Sequence, residues 1–299
     1  MTAHIPLPGI LVNHKKWLEN TGEGRRADFS GLTLNEAMFA KADLRNALFY
    51  GATLLDANLS GATLSGAKFN RADLQRANLA GSDLSGADIS QADLGGAWLQ
   101  DSILAEAAGT GFSMRRAKLL DSRMPDACFR EANLRQVNAV RAVFQQARLL
   151  SVDLQGSDIS DSQFQRSILQ HVKFVAGIGV FANFSGSKMD HCDFSETDLR
   201  GTKFSRAEVV QCRFHNAALA DCDFRGANVL GGDFNRAVLA GARFGDAQLK
   251  MADFRGANLR GARELNSEQL LQALTDQSTI LPNGSNGPYR KMSGAEKPR

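Results

Sequence analysis

Two histidines twenty residues apart, His171 and His191, are the pair in this 299-residue chain whose spacing most suggests chemistry. With Asp190 beside them they could offer imidazole nitrogens to a soft divalent metal, or titrate together as a proton sensor. Two ligands make an incomplete site, so the pair is a weak metal candidate and no cofactor is expected. The four cysteines, Cys128, Cys192, Cys212 and Cys222, show neither a C-x-x-C pair nor metal-ligand spacing. Cys192 and Cys212 should be spatial neighbours, and a disulfide there is conceivable, but buried reduced thiols acting as small apolar residues fit better. There is no nucleophile elbow, H-E-x-x-H, phosphate loop or dinucleotide fingerprint. No catalytic residue stands out, and the chain does not read as an enzyme.

What places these residues is a five-residue register. From Phe29 to Leu259 it has 47 positions, of which 44 hold Leu, Phe, Ile, Met or Val, the exceptions being Gly109, Ala139 and Gly179. Two residues before each runs a second register of Ala, Ser, Thr, Cys, Gly or Val, broken only by Leu32 and Phe112. Two positions in five therefore point inward and three outward. A period of five matches neither a helix nor a strand, so the chain must be a solenoid built of five-residue sides.

Four sides per coil follow from the phenylalanines. Phe144, Phe164, Phe184, Phe204, Phe224 and Phe244 form one ladder at twenty-residue spacing, and Phe174, Phe194, Phe214, Phe234 and Phe254 another on the opposite wall. Outward charges alternate at the same spacing, as in Asp153, Lys173, Asp193, Arg213 and Asp233, which suits neighbours on successive coils.

Stretches such as ADLRNALFYGATLLDANLSGATLSGAKFNRADLQRANLAGSDLSGADISQADL resemble the pentapeptide-repeat family, with consensus A(D/N)LXX. The resemblance spans residues 27–261. It implies an all-β solenoid, a right-handed quadrilateral β-helix of about twelve coils, with the Asp or Asn beside a corner; the handedness comes from the family alone.

The ends should close the coil, because an open rung invites association. Residues 1–26 read as an N-terminal cap whose helix puts Ile10, Leu11, His14, Trp17 and Leu18 on one face and stops at Asn20 and Gly22, with Trp17 plugging the first coil. Residues 262–282 read as a C-terminal cap helix and extension, N-capped by Asn266 or Ser267 and burying Leu270, Leu271 and Leu274. Residues 283–299 read as a disordered basic tail. Two stretches, 105–116 and 175–184, carry misplaced glycine and a stray Phe112 or Phe181; a bulged coil with the stray ring filling the gap accounts for each better than a protruding loop.

The formal charge of +3 resides in the ends, and the coil region is neutral. The family includes DNA mimics that modulate type II topoisomerases and protect gyrase from quinolones, but mimicry needs an acidic wall, and the four walls sum to +1, −1, −1 and +1. Neutrality also argues against direct nucleic-acid binding. A secreted effector-type adaptor, another family precedent, would need a targeting segment, and none is recognisable. With no apolar run of spanning length, a cytoplasmic protein is expected. The function expected is a non-enzymatic structural or protein-interaction rod, a monomer or a homodimer through its C-terminal region, with an unidentified protein partner. The candidate contact surface is the wall centred on Phe39, where Trp98, Val140, Ile178, Val180, Phe181, Ala218, Ala220, Val238 and Ala240 face outward.

Overall fold

Each residue of a five-residue side has its own hydrogen bond, and that accounting is why the period is five. In the computed structural model, which describes residues 7–298, the side beginning at Leu79 shows the pattern. Leu79 N donates to Trp98 O of the next coil at 2.7 Å, and Gly81 N to Gln100 O at 2.8 Å. Ser82 N turns back to Leu79 O at 3.1 Å, and Asp83 N reaches Ala62 O of the preceding coil at 2.9 Å. The remaining donor, Ala80 N, is taken by the Asn78 side chain at 3.1 Å. Where an Asp or Asn precedes the core residue, it is thus an acceptor for the one N–H that the coils leave unpaired. Two residues after each core position the backbone turns left-handed, as at Gly81 with φ +65°, which favours glycine, though Arg71, His171 and Phe181 also adopt it.

The chain divides into two units, one ending at Asn133 and the other starting at Leu134. The first opens with helix α1, Leu7–Leu18, and stacks coils in parallel register at twenty-residue spacing from Asp28 opposite Leu48 to Ser113 opposite Asn133. It contains strands β1, Ala108–Thr110, and β2, Cys128–Arg130, which pair in parallel. The second contains β3, Arg148–Leu150, β4, Ile168–Gln170, β5, Lys188–Asp190, and β6, Glu208–Val210, paired in that order, and helix α2, Ser267–Gln272. Regular strand marks about five turns, fewer than the twelve or so coils expected. On most sides only a single residue pairs between two turns, too short a run to form continuous strand.

Both inward registers are buried, except that Leu32, Ala37 and Ala42 of the first coil are half-buried. In the second unit, Phe144, Phe164, Phe184, Phe204, Phe224 and Phe244 stack face to face with centroids 4.6–5.4 Å apart. Phe194, Phe214, Phe234 and Phe254 form the second stack and meet the first edge-on. Phe174 departs from its stack, 73° out of parallel with Phe194.

That departure explains one disturbed stretch. A Cβ on Gly177 would lie 2.4 Å from the Phe174 ring, and one on Gly179 would lie 2.9 Å from Leu199, so Phe174 has turned into the space that the glycines leave. Phe181, expected to fill it, is instead 62% exposed on a left-handed corner, its ring lying on Gly201 of the next coil. At the other stretch Phe112 is buried and packs against Gly109, where a Cβ would sit 2.7 Å from its ring. Neither stretch forms a loop: register continues through both.

The N-terminal cap differs from expectation in its key residue. His14, not Trp17, is the buried residue of α1, while Trp17 is half-buried and stacks on it at 5.5 Å. Residues 21–25 fold back along the helix, with Arg25 N donating to Asn13 O at 3.1 Å. Gly24 lies so close that a Cβ would come within 2.0 Å of Trp17 N and 2.4 Å of Lys16 C, both backbone atoms that cannot yield cheaply. Gly24→Ala is expected to cost about 1–3 kcal/mol in denaturant melts; unchanged stability would show that the connector can lift away.

At the C-terminus Asn266 caps α2 in a capping box with Gln269. Leu270 is buried, but Leu271 and Leu274 are 49% and 50% exposed, contrary to the helical-face reading. The helix ends after six residues, and Leu274 and Ile280 join the coil edge, opposite Asp253 and Asn258. The tail is likewise not free. Tyr289 is buried, its hydroxyl 2.6 Å from that of Ser267 and donating to Glu296 at 2.9 Å, and Asn283 N donates to Ala295 O at 3.2 Å.

Candidate functional site

The outward positions that could recognise something are set by the corner geometry. His171 and His191 follow directly on strands β4 and β5, on successive left-handed corners, each pinned by its own N–H to the next coil. Their rings lie 5.4 Å apart, and His191 Nδ1 is 2.7 Å from Asp190 Oδ1. The sequence pairing is real in space, yet both rings are exposed, and among the described residues no group of three or more His, Cys, Asp or Glu is disposed to hold a metal ion.

The cysteines are free thiols. Cys192 and Cys212 are neighbours inside the coil; the contact with Cys192, then burial, pushes the Cys212 thiol well above its ordinary value. Burial does the same to Cys222. A thiol held protonated is a poor nucleophile and a poor ligand, so Cys212 and Cys222 serve as core filling.

On the second unit's wall, Ile178, Phe181 and Val238 are exposed, while Val140, Val180, Ala218, Ala220 and Ala240 are half-buried. The apolar positions are divided by an ion pair. Arg200 donates to both Asp198 carboxylate oxygens, at 2.8 and 2.7 Å, and this holds the Asp198 carboxyl below the usual carboxylate range. The same bidentate pairing recurs at Asp43–Arg45, Asp223–Arg225 and Asp253–Arg255. Its sequence signal, Asp followed two residues later by Arg around a core Leu or Phe, is visible once the corner geometry is known. In the first unit Trp98 is 46% exposed, with Lys118 of the next coil 3.9 Å from its ring centroid. The walls therefore present apolar side chains among internally neutralised charges.

The second unit also has an open groove of about 740 Å³, left by Gly186, Gly226, Gly245 and the Ser185 and Ser205 pair. Arg166 and Arg206 flank it, with Asp246 and Glu264 toward one end, so its charge is mixed. Among the described residues no helix is long and apolar enough to cross a membrane.

A search of curated proteins found no significant match. Among solved structures, HetL, a pentapeptide repeat protein involved in heterocyst differentiation regulation from the cyanobacterium Nostoc sp., is 23% identical over 91% of this chain and 98% of its own, with a TM-score of 0.28. QnrB1, a plasmid-mediated fluoroquinolone resistance protein, is 14% identical over 58% of this chain and 93% of its own, at 0.24. A pentapeptide repeat protein from the Arabidopsis thaliana thylakoid lumen is 33% identical over 36% of this chain and 66% of its own, at 0.19. The family described as pentapeptide repeats matches in eight copies over residues 27–66, 67–105, 127–170, 180–216 and 217–256. The intervals it skips contain Gly109, Phe112, Gly177 and Gly179, where the core pattern is disturbed. With more than half of its length matched and its coils paired in parallel at twenty-residue spacing, the chain belongs to the pentapeptide-repeat family.

Proposed function

We propose that this protein is a non-enzymatic scaffold that binds another protein through the outward wall carrying Ile178, Phe181 and Val238. The observation that carries the reading is the exposure of Phe181, a large apolar ring held outward at a corner and 62% exposed. Apolar anchors beside a bidentate Asp198–Arg200 pair suit a non-obligate interface, in which aromatic residues and arginine are enriched. Trp98 with Lys118 is a second anchor of the same type in the first unit. The unpaired thiols fit a reducing compartment, and the cytoplasm is the proposed location.

Replacing Val180, Phe181 and Ala220 with Lys or Glu is expected to leave circular dichroism and melting unchanged, because these side chains lie outside the buried registers. The variant should lose the proteins that the wild type captures from its native organism. Recovery of the same proteins by both would exclude this wall as the contact. In a supercoiling assay neither protein should inhibit gyrase or protect it from quinolone. Strong inhibition that survives the substitutions would sink the scaffold reading and show that locally paired carboxylates still mimic phosphates.

A further inference from the structure

We propose that α1 is an acid-released latch, closed on the first coil by neutral His14 and opened when that ring takes a proton. His14 is fully buried although it belongs to a helix whose other described residues are all at least partly exposed. Its Nδ1 accepts a hydrogen bond from Ala27 N at 3.0 Å. In later coils the equivalent N–H, such as that of Ala47, is taken by the carbonyl three residues earlier, Leu44 O, at 3.0 Å. The first coil has no preceding side of its own kind, and the ring supplies the missing acceptor.

The geometry dictates the protonation state. An imidazole accepting at Nδ1 must be neutral with its proton on Nε2, and Nε2 is buried without a hydrogen-bond partner among the described residues. A second proton has one place to go, Nδ1, where it would face the Ala27 N–H donor to donor. The charged ring would then be buried, and one backbone donor would lose its acceptor.

The surroundings offset the cost of the cation only in part. Asp43 in the first coil is the facing carboxylate, but Arg45 engages both of its oxygens, at 2.9 and 2.7 Å. Arg26 in the connector is the other nearby charge, and it lies over the Trp17 ring at 6.0 Å. Burial is the main cause that holds His14 below its ordinary value; Asp43 and the Arg45 backbone oppose it, and the Arg26 and Arg45 charges add to it. The sign follows. As pH falls through the ordinary histidine value of about 6.5, the detached state takes up the proton first. The latch is at full strength above that value and weakens below it.

Release would uncover the first rung, whose outward-facing edge groups have no earlier coil to pair with. The tests read α1 directly. In a Trp98→Phe background the fluorescence of Trp17, titrated from about pH 8 to about pH 4.5, should show a one-proton transition below the ordinary histidine value, before the coil itself unfolds by circular dichroism. His14→Gln keeps an acceptor oxygen and cannot titrate, so the transition should vanish. A His171→Gln, His191→Gln, His215→Gln triple variant should retain it. Should His14→Gln fail to hold the helix at neutral pH, the imidazole resonances of His14 in the wild type supply the second test. Their titration must coincide with the fluorescence change and with loss of hydrogen-exchange protection at the Ala27 amide. A transition that persists in His14→Gln, or a ring that titrates while α1 stays docked, would overturn the proposal.

Discussion

Phe204→Ala is expected to cost about 3–5 kcal/mol, the range for deleting a buried ring whose surroundings cannot close the hole. Phe204 is fully buried, sandwiched between Phe184 at 5.4 Å and Phe224 at 4.9 Å, and meets Phe214 edge-on at 5.9 Å. Collapse would have to draw neighbouring coils together, but their spacing is held by backbone hydrogen bonds on every side, such as Phe204 N to Asp223 O at 2.8 Å. Because each coil touches only its neighbours, a void there also weakens the coupling along the stack, so the melt should broaden as well as shift. Asn228→Ser is the comparator. Its side chain accepts Leu230 N at 3.2 Å at the surface, and its loss should stay within about 0.5 kcal/mol. Equal shifts of the two melting curves would show that the inward register does not carry the stability.

Removing residues 262–299 is expected to yield oligomers or insoluble protein. That segment does more than sit over the last coil. Gln269 Nε2 donates to Phe244 O at 2.8 Å and Ala247 O at 2.9 Å, and Thr279 Oγ1 donates to Phe254 O at 3.0 Å. Leu274 and Ile280 continue the backbone pairing of the coil edge, and Tyr289 ties the tail to Ser267. Without them the carbonyls of Phe244, Ala247 and Phe254 lose these side-chain donors, and the open edge becomes a template for another chain. Size-exclusion chromatography with light scattering reads the outcome, with the intact protein measured first. A truncated chain that stays monodisperse and melts as the full length does would remove the capping argument.

How much was legible beforehand depends on whether a feature repeats. The buried registers, the coil of twenty and the phenylalanine stacks follow from periodicity, since a side chain's direction is set by its place in the five-residue side. A cap at Asn266 or Ser267 is readable for a different reason, because its role is local and has a chemical signature, and the structure assigns it to Asn266. A helical face drawn through Leu271 and Leu274 fails because α2 ends at Gln272 and hands its chain to the coil edge. The tail reads as disordered from composition, yet Tyr289 finds a buried seat that no local pattern announces.

The candidate surface divides in the same way. That Phe181 and Val238 face outward was determined by register, but the Asp198–Arg200 pair that splits the wall needs side-chain reach around a core residue, which spacing alone does not give. The turned ring of Phe174 and the close seat of Gly24 on α1 are likewise decided by atoms far apart in sequence. By itself the sequence determined the solenoid, its family and its inward faces, because the same five-residue hydrogen-bond cycle is repeated until no other fold satisfies it. Only the tertiary structure decided that His14 closes the N-terminal end, since one buried ring meeting the single N–H of Ala27 happens once and leaves no period to read.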